Sequence, residues 1–165
     1  MQGLPWKKLL HPESEEEKAK AAKLDLEGQL RILLSVCNAV AFAHSKGIIH
    51  RDLKPDNIMV GDYGEVLVMD WGIALPMSSY RKSGGVLLSQ GLGGTPAYMA
   101  PEMATGPLSK ISTASDVYLL GAVLYEIVTG HPPHRGADVM SCVLAAAKND
   151  VTPTDKTGEL IDIAM

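Results

Sequence analysis

The sequence predicts a mainly α-helical unit that carries one small β-hairpin. Apolar residues recur at helical spacing over residues 26–44 and again over about 116–129, and two short apolar runs flank a glycine-containing turn at 61–64. With 165 residues, 46% of them hydrophobic, the chain can bury one core and is too short for two ordinary domains. These observations favour a compact α+β fold class.

The sequence contains signals for the ends of the first two predicted helices. Residues 14–17 have the spacing of a capping box, and Glu16 with Lys20 offers an ion pair one turn apart on a charged, solvated face. The apolar run over 26–44 precedes Gly47, and glycine readily takes the left-handed conformation that ends helices. We therefore expect a short charged helix followed by a long one that scaffolds the next loop.

The hairpin is predicted from residues 58–60 and 66–69, which are apolar runs on either side of the turn at 61–64. A hairpin returns to its starting edge, so Asn57 before the first strand and Asp70 after the second should converge. Amide and carboxylate oxygens are hard ligands that suit Mg²⁺. The spacing thus predicts a metal-binding end of the hairpin.

Asp52 and Lys54 lie just upstream of that end. Phosphoryl transfer needs a carboxylate that orients or accepts a proton from a hydroxyl, a cation for the phosphoryl group and a metal that bridges phosphates. Any single Asp or Asn in a loop more often caps its own backbone. The combined spacing of Asp52, Asn57 and Asp70 favours the catalytic interpretation.

The C-terminal half predicts three more helical segments. One runs over about 116–129 and stops at Gly130, a second covers about 138–148, and a short apolar turn follows at 159–165. His131 and His134 flank two prolines, and without a third ligand we interpret them as surface residues rather than metal ligands.

The composition of the chain bears on which partners it binds and on where in the cell it is found. A net charge of −4 and a pI near 5.7 give no electrostatic reason to expect nucleic acid or anionic membrane. Cys37 and Cys142 lie in apolar contexts typical of buried thiols, not of a disulfide or a zinc site. Without an eighteen-residue apolar run or a signal peptide, we expect no membrane-spanning segment and a cytoplasmic location, as a protein or as the cytoplasmic domain of a longer, membrane-anchored one.

Four motifs occur in a fixed order: HRDLKPDN at 50–57, DWG at 70–72, GTPAYMAPE at 94–102 and DVYLLG at 116–121. In this order they resemble the C-terminal lobe of a eukaryotic-type Ser/Thr protein kinase of the kind also found in bacteria. The resemblance implies that residues 1–165 form a partial kinase domain without its N-terminal lobe. Residues 70–102 would be the activation and substrate-binding segment.

The resemblance also implies roles for individual residues. Asp52 would be the catalytic base, and Lys54 would contact the transferring phosphate of ATP. Asn57 and Asp70 would hold Mg²⁺, and Met59 would form part of the floor under adenine. The remaining residues would serve structure or the substrate segment: His50, Trp71 (where the family usually has Phe), Gly72, Thr95, Glu102 and Asp116.

Regulation is predicted for the segment after Trp71, which is rich in hydroxyls and interrupted by glycines. By composition alone it is a flexible connector. Arg51 is either a solvated charge or, as in the family, the receiver of a phosphorylated activation segment. The candidate phosphorylation sites are Ser78, Ser79, Ser83, Ser89 and Thr95.

The expected function is transfer of the ATP γ-phosphate to a Ser or Thr hydroxyl of a protein substrate, with ATP and Mg²⁺ as cofactors. The family's Gly-rich loop, strand lysine and partner glutamate are not found, and residues 1–3 fall near the family's hinge. We therefore expect a truncated lobe, feeble alone and completed by an N-terminal lobe in cis. The alternative is a non-catalytic, pseudokinase-like lobe that serves as a protein-binding scaffold. The sequence does not determine the oligomeric state.

Overall fold

A computed structural model of the chain describes residues 3–77 and 93–164. Within these ranges the first element is a three-residue strand and the last is a six-residue helix. The helices are α1 (Trp6–Leu10), α2 (Glu15–Ala21), α3 (Leu26–Ser45), α4 (Pro101–Thr105), α5 (Thr113–Thr129), α6 (Val139–Lys148) and α7 (Glu159–Ala164). The strands are β1 (Gly3–Pro5), β2 (Ile48–Ile49), β3 (Ile58–Gly61), β4 (Val66–Val68) and β5 (Leu75–Pro76). Two 3₁₀ turns cover Pro55–Asn57 and Leu108–Lys110.

The ends of the first helices agree with the sequence. The side chain of Ser14 accepts a hydrogen bond from the Glu17 amide, and the Glu17 carboxylate accepts one from the Ser14 amide at 3.1 Å, so the predicted capping box is confirmed. The predicted Glu16–Lys20 ion pair is present at 3.5 Å. Helix α3 ends at Ser45, and Gly47 follows with a φ of 75°.

The predicted hairpin is also confirmed. Strand β3 pairs antiparallel with β4, with Ile58 opposite Val68, and β1 pairs on the other side of β3. The amide of Met69 donates to the carbonyl of Asn57 at 2.8 Å, so the ladder continues to the open end of the hairpin. The short β2–β5 pairing was not predicted, and it places a strand inside the 70–102 segment.

Helix α3 is long and apolar enough to cross a membrane by length and composition alone. Its apolar face, however, packs into the hydrophobic core and against α5. Its buried apolar residues are Ile32, Leu33, Val36, Val40 and Ala43. This packing buries only part of the apolar surface of α3, since Leu34 and Phe42 on the same helix are 62% and 65% exposed.

Helix α5 begins three residues before the predicted start because Ser112 caps it. The Ser112 side chain accepts from the Ala114 amide, and Ser115 closes a capping box with it. Gly130 ends α5 with a φ of 83°, as predicted. The 138–148 helix is confirmed as α6, with Asp138 as its N-cap.

The prediction that His134 lies on the surface is wrong. Its side chain is fully buried, with Nδ1 3.0 Å from the carbonyl of Asp150 and Nε2 2.9 Å from the hydroxyl of Tyr118. The amide of His134 also donates to the carbonyl of Ala97 at 3.1 Å. His134 therefore joins the loop to α5 and the end of α6, a contact between residues distant in sequence. His131 is half-buried.

Candidate active site

The loop that carries Asp52 is held from beneath by Asp116, in the first turn of α5. The fully buried Asp116 carboxylate accepts the amide of His50 at 2.8 Å through Oδ2 and that of Arg51 at 2.9 Å through Oδ1. His44 of α3 lies 2.7 Å from Oδ2 through Nε2. One carboxylate thus joins α3, α5 and the loop.

The loop bends sharply at Arg51, which has a φ of 73°. Asp70 likewise has a φ of 55°, and such values are costly for residues with a β-carbon, so surrounding structure must impose them. The Arg51 side chain is 1% exposed, and its Nη1 donates to the carbonyl of Ile73 at 3.1 Å. A β-carbon at Gly93 would lie 2.4 Å from Arg51 Nη2, so a larger residue there would force the buried guanidinium to shift. Arg51 therefore packs between both ends of the 73–93 stretch.

His50 joins the loop to the hairpin. The Asp52 amide donates to His50 Nδ1 at 3.2 Å, so Nε2 carries the proton and donates to the carbonyl of Met69 at 3.0 Å. Trp71 packs edge-on against this ring at 4.5 Å between centroids, and its Nε1 donates to the carbonyl of Val68 at 3.1 Å. Trp71 remains 39% exposed. The buried imidazole is thus fixed in one tautomer.

Asp52 is the centre of a hydrogen-bond network. Its Oδ1 accepts the hydroxyl of Thr95 at 2.7 Å, and its Oδ2 accepts Lys54 Nζ and Asn57 Nδ2, each at 2.9 Å. Lys54 Nζ also donates to Thr95 Oγ1 at 2.6 Å. The network fixes both oxygens of a carboxylate that is itself mostly buried. It leaves one lone-pair direction of Oδ1 for another donor.

The open end of the hairpin carries oxygen donors that fit a magnesium ion. Asn57 uses its amide nitrogen for Asp52, and within the described residues its Oδ1 takes part in no hydrogen bond. Asp70 is exposed, and only its Oδ1 contacts a local donor, the Gly72 amide at 3.3 Å. A carboxylate and an amide oxygen without cationic partners form a hard donor set.

The remaining predicted site residues take no part in the hydrogen bonds that the structure shows around Asp52 among the described residues. Met59 occupies the central strand β3, between Pro5 and Leu67. Glu102 lies in α4, and its Oε1 accepts the hydroxyl of Ser115 at 2.5 Å. The four candidate phosphorylation sites before Thr95 are outside the described residues: Ser78, Ser79, Ser83 and Ser89.

A cluster of charged and polar groups around the buried carboxylate of Glu126, beside the 94–102 segment, was not predicted from the sequence. Glu126, 1% exposed, accepts the Tyr98 hydroxyl at 2.6 Å and Lys7 Nζ at 2.7 Å, and His11 Nε2 lies 2.8 Å away. Burial, followed by the charge of Glu126, raises the pKa of Tyr98 above its ordinary value. The sequence feature that could have predicted this cluster is Glu126 itself, a lone carboxylate in the apolar second half of α5.

Several known proteins share part of this sequence. Residues 11–159 match the family model described as the protein kinase domain. The chain is 42% identical over 119 residues to the serine/threonine-protein kinase PknD of Protochlamydia amoebophila. The matched region covers 64% of this chain and 12% of that protein. It is 40% identical over 134 residues to the serine/threonine-protein kinase PknB of Mycobacterium leprae, covering 81% of this chain and 21% of the relative.

A third relative is the probable serine/threonine-protein kinase PknB of Bifidobacterium longum, 40% identical over 123 residues, or 74% of this chain and 17% of that protein. The chain therefore spans about an eighth to a fifth of the length of these curated relatives. Because the family model covers most of its residues, the chain belongs to the protein kinase family.

Proposed function

We propose that this chain transfers the γ-phosphate of ATP to a Ser or Thr hydroxyl of a protein substrate. The observation that carries the proposal is the Asp52 network, in which Lys54, Asn57 and Thr95 all donate to one carboxylate. A structural aspartate needs such donors too, but it does not need the oxygens of Asn57 and Asp70, which we propose as Mg²⁺ ligands. The kinase names of the relatives support the same reaction.

The proposed step uses the remaining lone pair of Asp52 Oδ1. Asp52 accepts the hydroxyl proton while the substrate oxygen bonds to the γ-phosphorus, and the bond from that phosphorus to the β–γ bridging oxygen breaks, so that ADP leaves with the electron pair. Lys54, 2.9 Å from Asp52, offsets negative charge on the transferred group. Catalysis here is mainly positioning by fixed side chains.

Asn57 Oδ1 and Asp70 would hold Mg²⁺ at the open end of the hairpin. The ion, when bound, neutralises charge on the phosphate oxygens. Asn57 also donates to Asp52, so the same side chain would orient the base and hold the metal. Met59, on β3, would lie under the adenine. These assignments extend the proposal to both expected cofactors.

We further propose that the chain is the C-terminal lobe of the kinase domain and that an N-terminal lobe in cis covers the nucleotide. All four kinase motifs named above belong to that lobe in the family. Phosphorylation at Ser78, Ser79, Ser83, Ser89 or Thr95 would order the activation segment through Arg51. Phosphopeptide mapping that finds all five hydroxyls unmodified in active protein would contradict the regulatory part.

The test measures phosphate transfer from Mg²⁺-ATP to a serine peptide, with an N-terminal lobe supplied. Asp52→Asn should lower the rate by about 10²–10⁴-fold, the range of general-base catalysis. Asp56→Asn is the matched control, since Asp56 is an exposed carboxylate in the same loop. Equal rates in wild type and Asp52→Asn would overturn the proposal. If Mg²⁺-ATP also failed to bind, the scaffold alternative would replace it.

A further inference from the structure

His44 lies in the last turn of α3, and it takes no part in the hydrogen bonds that the structure shows around Asp52. Its Nε2 is 2.7 Å from Oδ2 of Asp116, which comes 72 positions later in the chain. A carboxylate only accepts hydrogen bonds, so this nitrogen carries a proton and donates to Asp116 whether or not the ring is charged. His44 therefore contacts the residue that holds the loop of Asp52 in place.

The imidazole is the side-chain donor among the donors that the described residues show for Asp116. The others are the backbone amides of His50, on Oδ2 at 2.8 Å, and of Arg51, on Oδ1 at 2.9 Å. Removing a carboxylate from water is costly unless other donors replace the water, and the Asp116 side chain has no exposed surface. His44 thus lowers the cost of burying Asp116 and connects it to α3 as well as to α5.

The loop conformation that Asp116 supports is one that a chain does not adopt readily. Arg51 has a φ of 73°, which is disfavoured for a residue with a β-carbon. Asp116 accepts the amide of this residue, and Asp52 is the next residue in the chain. A shift of Asp116 would let the backbone at Arg51 relax and would turn Asp52 away from its present position. Misplacing a catalytic group by about 1 Å can lower a rate by about 10²-fold.

From these contacts we propose that His44 is a positioning residue for phosphate transfer, which acts on Asp52 through Asp116. The inference rests on the proposed function, because it assigns His44 a part in that reaction. Without the His44 hydrogen bond Asp116 keeps its two backbone donors, so the loop should loosen without unfolding. The loss should appear in the chemical step, because the residues proposed to hold ATP and Mg²⁺ form no hydrogen bond with His44 in the described part of the chain.

The first test measures hydrogen exchange of backbone amides by NMR, with an N-terminal lobe supplied. His44→Leu removes the donor and keeps an apolar side chain, whereas the side-chain amide of His44→Gln can still donate to Asp116. The amides of His50 and Arg51 should exchange about tenfold faster in the Leu variant and at nearly the wild-type rate in the Gln variant. The core amides of α5 are the internal reference. If they exchange faster to the same extent, His44 only stabilises the fold, and the proposal is overturned.

The second test measures steady-state phosphate transfer from Mg²⁺-ATP to a serine peptide, again with an N-terminal lobe supplied. His44→Leu should lower kcat by about tenfold and leave the KM values for ATP and peptide unchanged. His44→Gln should retain most of the wild-type kcat. Ser45→Ala is the matched control, because Ser45 is exposed in the same helical turn and its hydroxyl donates to the carbonyl of Phe42 within α3. This variant should transfer phosphate at the wild-type rate.

Equal kcat in wild type and His44→Leu, or an equal loss of kcat in the Leu and Gln variants, would overturn the proposal. A rise in KM at constant kcat would also overturn it, since the effect would then lie in substrate binding. If His44→Leu does not fold, His44→Asn, whose side chain is one carbon shorter than that of Gln, takes its place with the same expectations. Absence of transfer in every variant, wild type included, would contradict the proposed function. The exchange rates of the His50 and Arg51 amides would still decide whether His44 fixes the loop.

Discussion

The hydroxyl of Thr95 donates to Asp52 Oδ1 at 2.7 Å, on the oxygen where the proposed reaction requires a substrate hydroxyl to bind. Lys54 donates in turn to Thr95 at 2.6 Å, so the three side chains form a closed ring with the Lys54–Asp52 contact. The position of the 94–102 segment is thereby coupled to the orientation of the carboxylate. Displacing that segment would remove the hydrogen bonds of Thr95 with Asp52 and Lys54, while those of Asp52 Oδ2 with Lys54 and Asn57 would remain.

This ring predicts that Thr95→Ala lowers phosphate transfer by about 10–100-fold, because a hydrogen bond to a charged group contributes about 1.5–3 kcal/mol. Thr95→Ser keeps the hydroxyl and should retain most of the activity. Steady-state rates with a serine peptide measure both effects. Thr105→Ala, which removes an exposed hydroxyl in α4, is the control. An equal loss of the transfer rate in the Ala and Ser variants of Thr95 would show that the rate does not depend on the Thr95 hydroxyl.

A second prediction concerns Asp116. In Asp116→Asn an amide nitrogen replaces one carboxylate oxygen and faces the amide of His50 or Arg51, so a buried donor loses its acceptor. An unsatisfied buried donor costs about 1–3 kcal/mol, and urea unfolding should show the loss. Asp155→Asn changes an exposed carboxylate and should leave the free energy of unfolding unchanged. A variant of Asp116 as stable as this control would contradict the prediction.

Elements with strong local signals were predicted correctly from the sequence. The hairpin, α3, α6 and the Ser14 capping box depend on periodicity, turns and caps that lie within a few residues of each other. The missed β2–β5 pairing depends on a distant partner. Strand β2 exists because β5 pairs with it, 26 residues later, and neither has a pattern of its own.

In the candidate site, too, features with local sequence signals were predicted and contacts between distant segments were not. The spacing of Asn57 and Asp70 is set by one hairpin, so their placement at its open end followed from the sequence. Thr95 was assigned to the substrate segment by resemblance, but its contact with Asp52 depends on how residues 43 positions apart pack. Glu126 and Lys7 are 119 positions apart, so no local pattern could pair them. Packing between distant segments decides such contacts.

A third prediction uses the pH dependence of stability. Hydrogen bonds from Lys8, and then from the amides of Ser14 and Glu13, lower the pKa of Glu17 from its ordinary value of 4.5 to about 2. The unfolded chain thus binds this proton at higher pH than the folded chain. The stabilisation is complete above about pH 4.5 and is lost as the pH falls towards 2.

Glu17→Gln should therefore be less stable than wild type at neutral pH, and the difference should shrink across that acidic window. Chemical denaturation at a series of pH values measures it. Glu15→Gln is the matched control, because Glu15 is 91% exposed and pairs only with Lys18 in the described part of the chain. A difference between wild type and Glu17→Gln that stays constant from neutral pH to pH 2 would exclude this linkage.

The last prediction concerns Tyr98, whose hydroxyl reaches Glu126 Oε2 at 2.6 Å. Tyr98→Phe leaves that buried oxygen without its donor, while Lys7 and His11 stay on Oε1. Unfolding should become easier by about 1–3 kcal/mol near neutral pH, as urea denaturation would show. Tyr63→Phe, at a side chain 94% exposed, is the control and should have no effect.

The cost of Tyr98→Phe should also fall at alkaline pH. Burial and the Glu126 charge raise the pKa of Tyr98 above its ordinary value of 10.0, so the folded protein keeps the proton that the unfolded chain releases above that pH. Wild type then loses stability as the pH rises past 10, whereas the Phe variant has no such proton to lose at this position. A stability difference that grows above that pH would mean that the hydroxyl ionises more easily in the folded state, contrary to its burial beside Glu126.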